Sequence, residues 1–481
     1  MRHDSVKTLL HFSSALISVL ACVASCSQGG AGGGPYPTDD LSLGDSGRDG
    51  GNGRLDLSPS VDMALPPAEG RPVWGRSYRN EGSNVGGVAV GPDGAVYLTG
   101  SFSAADFGDG KVVAQGESDC FLLKFDKNGQ RLWARTFGRD SVEAPMSVTV
   151  DRSGNAVVTG FSTNKATGRG DAFVSYYESS GNQRYFKLFS IPSAGSRLNP
   201  AVAAGFAADG GVYFTGLFDD RINFGGGELV SAGVTDIYLV QLSATGAHVF
   251  SKSWGQTASD RPIALSMMPD GDLLMTAYTS GAIDFGDGSK GDPVESAALV
   301  RFSPQGVARW SKRWALKSSR LLVAAAPDGT VWLGADLNNN SVDFGGRLHK
   351  SPTGYGLLTA HFTGAGAYLD SFLLSSGASS YLTAIAVDST GQLVAGGVPD
   401  GEIDFGFGAT TNTDGKAFYM KQAWTGQVRW AQRFGATATI NVEGIAVSPD
   451  NHVLVGGTVD ENLKLGPVSL TPHTFVCSLT P

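Results

Sequence analysis

The motif Asp-Phe-Gly is the most regular feature of the chain that could do chemistry. Complete copies begin at Asp106, Asp284, Asp343 and Asp404, a variant begins at Asn223, and a degraded copy begins at Lys464. The same motif holds magnesium in protein kinases, but repeated copies without the other kinase motifs exclude that chemistry. We expect the acid to cap a turn, Gly to complete the turn, and Phe to fill a repeated apolar pocket. The alternative is calcium binding where the chain reads DFGDG, at Asp106/Asp109 and Asp284/Asp287.

No catalytic constellation is recognisable. The chain has no Walker loop, no His-Glu-x-x-His and no Gly-x-Ser-x-Gly elbow. The histidines after Arg71 occupy unrelated places in the pattern described below; they are His248, His349, His361, His452 and His473. A metal site needs converging ligands, so the sequence predicts no catalytic residues, no metal site and no cofactor.

One structural unit recurs from Arg71 to Pro481. Each copy opens with a strand, a tight turn and a second strand, as in VAVGPDGAVYLTG from Val88. The turn residues are Gly94, Gly154, Gly210, Gly271, Gly329, Gly391 and Asn451, spaced 56 to 62 residues apart. Gly and Asn both tolerate positive φ, so Asn can replace Gly at this turn.

A second hairpin completes each unit, as in CFLLKFDKNGQRLWARTFG in the first copy. Its aromatic residue recurs as Trp133, Tyr185, Phe250, Trp310 and Trp430, with Leu369 in the fifth copy. Four antiparallel strands in units of about 59 residues are typical of a β-propeller blade.

The two ends of the repeat region complement each other. The seventh copy stops after its third strand, whereas Val73–Tyr78 matches Leu132–Phe137, the fourth strand of the first copy. We therefore expect an all-β, seven-bladed β-propeller with four antiparallel strands per blade, closed by the N-terminal strand completing the last blade. An open array of hairpins is the alternative, but it would not leave complementary fragments at both ends.

The repeat resembles a known family. Its Pro-Asp-Gly turn, its Asp-Phe-Gly motif and the Gly four residues before Trp resemble the seven-bladed β-propeller repeats of bacterial surface lipoproteins, the SBBP-like family. That spacing occurs at Gly129/Trp133, Gly306/Trp310 and Gly426/Trp430. The step is also similar to the tryptophan-docking motif of quinoprotein propellers. Those usually have eight shorter blades, and the quinone dehydrogenases among them carry adjacent cysteines, which this chain lacks.

The N-terminus is typical of an exported protein. Arg2 and Lys7 precede an apolar run from Leu9 to Ala24, the pattern of a secretory signal peptide. The residues ending at Cys26 (VASC) resemble a bacterial lipobox, and those ending at Cys22 (VLAC) match less well because of the bulky Leu20. We expect a signal peptide over residues 1–25 and lipid attachment at Cys26, with an ordinary cleaved signal as the alternative. Two acyl chains give stable anchoring. By resemblance to bacterial lipoproteins, Ser27 in place of Asp implies the outer membrane.

The composition of residues 26–70 predicts a tether between the lipid anchor and the propeller domain at residues 71–481. From Ser27 to Gly70 the chain holds eleven glycines and seven acids against two arginines. Such a segment cannot bury enough apolar surface to offset its ordering entropy. No other run of about 18 apolar residues predicts a membrane span. The net charge of −9 disfavours nucleic acid as a partner.

Six residues are candidates for a ligand-binding ring. Ten positions before the turn residue, at the expected mouth of the central channel, stand Asn84, Arg261, Tyr381 and Asn441, and one position away lie Glu143 and Arg320. A cation, an acid, amides and an aromatic ring together could hold a polar ligand. A solvated channel mouth without a ligand is the alternative.

The remaining cysteines give one structural hypothesis. Cys120 and Cys477 fall on the third strands of the first and seventh copies, and export permits disulfides. Cys477 aligns with Leu123, so the two side chains leave opposite faces of neighbouring blades. A Cys120–Cys477 disulfide that reinforces closure is the hypothesis, and two buried apolar thiols are the alternative.

These features predict a monomeric lipoprotein of the outer membrane or cell surface that binds protein or glycan ligands or acts as a scaffold. A propeller-based enzyme (lyase, hydrolase or quinone-dependent dehydrogenase) is one alternative. Architectural support for outer-membrane assembly is another, suggested by similarity to the propeller lipoprotein of the β-barrel assembly machinery.

Overall fold

The computed structural model describes residues 69–82, 84–163, 170–190, 200–288, 295–316, 320–338, 341–351, 355–375, 380–399, 403–406, 416–435 and 438–481. The predicted signal peptide, Cys26 and nearly all of the predicted tether lie outside these residues. None of the described residues forms a helix with the length and apolarity needed to cross a bilayer.

The described residues form strands joined by turns and loops. The first strands in chain order are β1 (Pro72–Tyr78), β2 (Asn80–Glu81), β3 (Asn84–Val90), β4 (Val96–Phe102), β5 (Ala104–Asp106), β6 (Lys111–Val113), β7 (Asp119–Phe125), β8 (Arg131–Phe137), β9 (Val142–Val150), β10 (Ala156–Thr163), β11 (Gly170–Tyr177) and β12 (Gln183–Phe189). Next come β13 (Ala201–Phe206), β14 (Val212–Phe218), β15 (Arg221–Asn223), β16 (Glu228–Val230), β17 (Asp236–Leu242), β18 (His248–Trp254), β19 (Arg261–Met267), β20 (Leu273–Ser280), β21 (Glu295–Phe302), β22 (Ala308–Trp314), β23 (Leu321–Ala325) and β24 (Val331–Asn338). The last are β25 (Ser341–Asp343), β26 (Leu348–Lys350), β27 (Tyr355–Phe362), β28 (Tyr368–Ser375), β29 (Tyr381–Val387), β30 (Leu393–Val398), β31 (Ala417–Gln422), β32 (Val428–Phe434), β33 (Ile440–Val447), β34 (Val453–Val459), β35 (Leu463–Leu465), β36 (Val468–Leu470) and β37 (His473–Leu479).

Seven four-stranded antiparallel sheets are built from these strands within the described residues. Sheet 1 is β3-β4-β7-β8, sheet 2 is β9-β10-β11-β12, sheet 3 is β13-β14-β17-β18, sheet 4 is β19-β20-β21-β22, sheet 5 is β23-β24-β27-β28, sheet 6 is β29-β30-β31-β32, and sheet 7 is β33-β34-β37-β1. The predicted pairing of the N-terminal strand is therefore observed, with Ser77 opposite Phe475 and Tyr78 opposite Thr474. The sequence prediction of an all-β fold made of repeated four-stranded sheets is confirmed.

The middle strands of each sheet are apolar because they are covered on both sides. Every residue of β4, β7 and β17 is buried, as expected for strands packed between two neighbouring sheets. Leu98 and Leu123 of sheet 1 pack with Leu454 and Val476 of sheet 7 in one apolar cluster. The first strands also contact one another in the order β3, β9, β13, β19, β23, β29, β33, and β33 contacts β3. We call the space that these first strands border the central channel.

The channel has two different ends. We call one end the turn face, because it carries the hairpin turns at residues such as Gly94 and Gly129. The other end, the loop face, carries the connections between second and third strands and those between successive sheets. In the channel wall the pairing of first and second strands skips one residue in every sheet except sheet 5. The skipped residues are Gly86, Met146, Val202, Ile263, Thr383 and Glu443.

The Asp-Phe-Gly motifs are structural, as predicted. In each of the five copies the Oδ1 atom of the first residue accepts a hydrogen bond of 2.7 Å from the N–H of the glycine two residues later. The five phenylalanines are buried, with exposures of 2–4%. The calcium alternative finds no support in the first copy, because both carboxylate oxygens of Asp109 bind Arg131 at 2.5 and 2.6 Å.

An aromatic side chain of each fourth strand packs on a turn glycine of the next sheet. The Trp74 indole Nε1 of sheet 7 donates to the Lys127 carbonyl of sheet 1 at 2.9 Å, and a Cβ on Gly129 would lie 2.5 Å from its ring. The seven pairs are Trp74/Gly129, Trp133/Gly181, Tyr185/Gly246, Phe250/Gly306, Trp310/Gly366, Phe372/Gly426 and Trp430/Gly70. Gly70 thus takes the place of the turn glycine in sheet 7, four residues before Trp74.

The fifth copy corrects the sequence prediction. Leu369 is not the packing residue, because it is 46% exposed. Asp370 occupies the position aligned with Trp133, since it pairs with His361 as Trp133 pairs with Lys124. The contact with Gly426 comes from Phe372, which lies two residues further along the same strand face.

The predicted Cys120–Cys477 disulfide is wrong. Both thiols are free and buried. Cys120 packs with Val158 and Phe173 of sheet 2, whereas Cys477 packs with Tyr419 and Trp430 of sheet 6. The two side chains do leave opposite faces of their sheets, but each points away from the gap between sheets 7 and 1. The alternative, two buried apolar thiols, matches this arrangement.

Candidate functional site

The candidate ring residues lie at the loop-face ends of the first strands. Asn84, Arg261 and Tyr381 begin β3, β19 and β29, while Arg320 directly precedes β23. Asn441 is the second residue of β33. The first strand of sheet 5 has no skipped residue, so it spans the same pairings with one residue fewer than that of sheet 4. Arg320 therefore takes the position equivalent to Arg261. We call these five residues the channel mouth; all of them are half-buried.

Two arginines of the mouth are held on aromatic rings. The Arg320 guanidinium carbon lies 3.8 Å from the centre of the Tyr381 ring on the neighbouring sheet. The Arg261 guanidinium carbon lies 5.1 Å from the ring of Tyr278, which faces it across the strand pair. The attraction between a cation and the face of an aromatic ring restricts where each guanidinium lies. The three consecutive sheets 4, 5 and 6 thus present an arc of arginine and tyrosine.

Glu143 does not join this arc. Its side chain is fully buried, and its carboxylate accepts hydrogen bonds from the hydroxyls of Ser141 and Ser162 and from the Arg139 N–H. Burial raises the pKa of this carboxyl, and the hydrogen bonds oppose the rise. The structure therefore places Glu143 inside the sheet 2 connection, where it orders the loop and does not face a ligand.

Three further carboxyls near this end of the channel have raised pKa values. Burial raises the pKa of Asp260 to about 6, although the Ser280 and Gln256 N–H groups donate to it. Burial raises the pKa of Asp336 to about 7, against the opposing charge of Arg320. At neutral pH these values leave Asp260 mainly ionised and Asp336 partly protonated.

Glu443 stands in the channel wall. It is the only charged residue among the skipped positions named above, and its Oε2 accepts the Val85 N–H of sheet 1 at 3.2 Å. Channel walls surround the carboxyl, and its burial raises the pKa to about 8. At neutral pH this side chain is therefore mainly protonated. It can donate or accept a hydrogen bond in the channel.

The turn face carries a cavity. Its volume is about 960 Å³, and it spans the turns of sheets 2 to 5. Phe206, Met267 and Met268 line it together with the turn acids Asp209 and Asp270. Small residues at the ends of the first strands, such as Ala204 and Ala325, leave this space open. The sequence analysis placed no site here.

Sequence reasoning placed five of the six ring residues on one mouth and missed their partners. Tyr278 and Asp336 lie near the ends of second strands, opposite or diagonal to the arginines, and no motif marks them. Glu443 interrupts an apolar strand at a position where the other copies have small or apolar residues. That interruption is the one signal that could have found it. Within the described residues no group of three or more His, Cys, Asp or Glu side chains could hold a metal ion.

Repeated four-stranded sheets that pack face to face around a central channel define a β-propeller. No protein-family model matches the chain. Among curated proteins, the regulatory protein FlaEY of Caulobacter vibrioides is 25% identical over 213 residues, which is 40% of this chain and 22% of that protein. The chain thus spans about a fifth of the length of the curated relative it matches.

Solved structures similar to this chain include other propellers. The Neurospora crassa Pan2 WD40 domain shares 8% identity at a TM-score of 0.45, over 85% of this chain and 95% of that one. The β-propeller domain of the Trilobed protease from Pyrococcus furiosus shares 5% identity at 0.42, over 84% and 94%. YCF48 bound to D1 peptide shares 12% identity at 0.46, over 88% and 100%. Likeness at this level concerns the fold alone.

Proposed function

We propose that the chain is a bacterial envelope lipoprotein whose propeller is a closed ring of seven blades that binds a polar ligand at the channel mouth. Residues 1–25 are the signal peptide, Cys26 carries the lipid, residues 26–70 are the tether, and residues 71–481 are the propeller. The protein acts as a monomer at the outer membrane or cell surface. Nucleic acid is not a partner, since the net charge is −9.

Interlocked contacts around the channel support the closed ring. Each of the seven aromatic–glycine pairs joins one sheet to the next, and Trp74/Gly129 joins sheet 7 to sheet 1. Asn80, which follows β1, donates through Nδ2 to the Thr474 hydroxyl at 2.9 Å, and its Oδ1 accepts the Thr474 N–H at 3.3 Å. An open array would leave Trp74 and the edge of β37 without these partners.

The stacked arginine of sheet 5 is the observation that carries the binding function. Holding the Arg320 guanidinium 3.8 Å above Tyr381 restricts a side chain that is otherwise among the most mobile. Preorganised cations of this kind lose less freedom when a ligand binds. A rigid ring that presents such a group at one mouth suits recognition of a polar ligand.

A binding screen tests the function. The full chain, purified in detergent, would be assayed against arrays of bacterial glycans and of peptides, beside an Arg320→Gln/Tyr381→Ala variant and a turn-face control, Asp209→Asn. We expect a ligand whose binding is lost in the mouth variant and kept in the control. A ligand lost only in Asp209→Asn would move the site to the turn face and contradict the proposal.

The lipoprotein assignment has its own test. Metabolic labelling with a palmitate analogue should label the wild type and Cys22→Ala and leave Cys26→Ala unlabelled and released from membranes. Equal membrane retention of Cys26→Ala without label would contradict lipid anchoring.

One observation favours an enzyme as a second candidate function. Glu443 combines a pKa raised to about 8 with a place in the channel wall, which are properties of general acids in hydrolases and lyases. A glycoside screen of wild type and Glu443→Gln decides the matter. Turnover that disappears in the variant would support catalysis, and binding without turnover in both would argue against it.

A further inference from the structure

The chemistry of the mouth narrows its ligand, an inference that rests on the binding function proposed above. Arg261 and Arg320 lie on the neighbouring strands β19 and the approach to β23, which contact each other. Each guanidinium carbon lies over a tyrosine ring, at 5.1 Å for Arg261 and 3.8 Å for Arg320. The donors in the plane of a guanidinium match the two oxygens of a carboxylate, and such pairs are stronger than neutral hydrogen bonds.

Burial reduces the negative charge of three acids around the mouth. Asp260 is capped by two backbone N–H groups, and Glu443 faces the Val85 N–H in the channel. The Leu382 N–H of sheet 6 donates to Asp336 at 3.2 Å. Burial favours the protonated form of all three carboxyls.

The opposite side of the mouth offers neutral donors and acceptors. Asn84 of sheet 1 and Asn441 of sheet 7 are half-buried at the ends of adjacent first strands. The Asn441 Nδ2 lies 3.5 Å from the Thr458 hydroxyl, at the limit of a hydrogen bond. Side-chain amides of this kind can donate to and accept from the hydroxyl groups of a sugar.

A protein ligand fits this mouth less well. Protein interfaces draw their affinity from buried aromatic or aliphatic anchors. The exposed large hydrophobic residues of the described chain lie on outer strands, turns and loops, and none of them begins a first strand. The mouth combines carboxylate-binding cations with hydroxyl-binding amides, and lacks an apolar patch.

We propose that the channel mouth binds the carboxylate-bearing sugar of an acidic glycan. Arg261 and Arg320 bind the carboxylate, and Asn84 and Asn441 bind hydroxyl groups of the same or the adjacent sugar. Tyr278 and Tyr381 position the two guanidinium groups.

Calorimetric titration of the full chain in detergent tests this ligand class. The probes are an oligogalacturonate, its methyl ester, and a peptide with a free C-terminal carboxylate. We expect the acid to bind and the ester to bind at least about tenfold more weakly, since the ester cannot form charge-assisted hydrogen bonds with the guanidinium groups. Arg261→Gln/Arg320→Gln should weaken the acid to the level of the ester. Arg152→Gln, an exposed arginine of the turn-face cavity, should leave the affinity within about twofold.

The outcomes separate this inference from the proposed function. Equal affinity for acid and ester would overturn the carboxylate assignment. Binding of the peptide in place of the glycan, still dependent on both arginines, would overturn the glycan assignment while the mouth remains a binding site. Glycan binding unaffected by the arginine pair but lost in a turn-face variant would overturn both. Circular dichroism melts of each variant, unchanged within a few degrees, confirm that lost binding does not reflect unfolding.

Discussion

The two ends of the central channel are made by the same repeat and differ in what they present. On the turn face, residues such as Asp151 and Asp209 fold their side chains back onto the backbone N–H groups of their own turns. On the loop face, the equivalent strand ends carry unlike residues, among them Asn84, Arg261 and Tyr381. Positions that form the turns of the repeat carry the same residue type in successive copies. Positions that do not form these turns can vary, and they are available for ligand recognition.

The largest expected effect on stability lies at the seam between sheets 7 and 1, where the residues hold the repeats together. Trp74→Ala removes a side chain that is 8% exposed together with its hydrogen bond to Lys127. We expect the free energy of unfolding to fall by about 3–5 kcal/mol, measured by urea denaturation. Leu369→Ala, on an exposed fourth-strand position, should change it by less than about 0.5 kcal/mol. Equal effects of the two variants would argue against a packed seam.

A smaller effect is expected at the glycine beneath that indole. Gly129 and Gly329 share a left-handed φ, +78° and +83°, but a Cβ on Gly129 meets Trp74, whereas a Cβ on Gly329 meets nothing within 4 Å. Gly329→Ala should cost about 1–2 kcal/mol for its backbone alone. Gly129→Ala should cost about 1–3 kcal/mol more because of overpacking. Urea midpoints measure both, and equal costs would contradict the docking of Trp74 on this turn.

The pH dependence of stability tests the burial of Glu443, on the loop-face side of the comparison. Because burial raises the pKa of Glu443 to about 8, the folded state holds a proton that the unfolded state releases near its ordinary pKa of 4.5. Stability from this group should therefore fall as the pH rises from about 4.5 to 8. Glu443→Gln should flatten that decline, and the exposed Glu117→Gln should not. Parallel stability curves for wild type and Glu443→Gln would show that the carboxyl is not buried in the channel.

The smallest effect concerns the two thiols. Burial raises the pKa of Cys477 to about 12 and that of Cys120 well above its usual range, so both should resist alkylation in the folded protein. In the denatured, unreduced protein, mass spectrometry should find both alkylated. A peptide pair joined through Cys120 and Cys477 would reinstate the disulfide.

The repeat made much of this fold predictable. Turn glycines, the Asp-Phe-Gly caps and the match of Val73–Tyr78 to a fourth strand all follow from one unit written several times. Predictions failed where a single copy departs from that unit. Phe372 makes the contact that the repeat pattern assigned to Leu369, three residues earlier. The faces of Cys120 and Cys477 depend on which neighbouring sheet each strand face meets. Tyr278 and Asp336 were beyond reach because only strand pairing brings them beside the arginines.

The ring itself is tested most directly by a bond between β1 and β37, the N-terminal and C-terminal strands that pair within sheet 7. Gly75 pairs with Cys477, and a Cβ on Gly75 would lie 3.6 Å from the Cβ of Cys477, within the range that disulfides adopt. The Gly75→Cys variant would carry Val468→Ala to make room, since Val468 and Leu470 crowd that site. Oxidation should join residues 75 and 477 within one chain, so that protease fragments cut at a middle loop stay linked until reduced. Free thiols at both positions, or links only between chains, would contradict a ring closed by its own N-terminal strand.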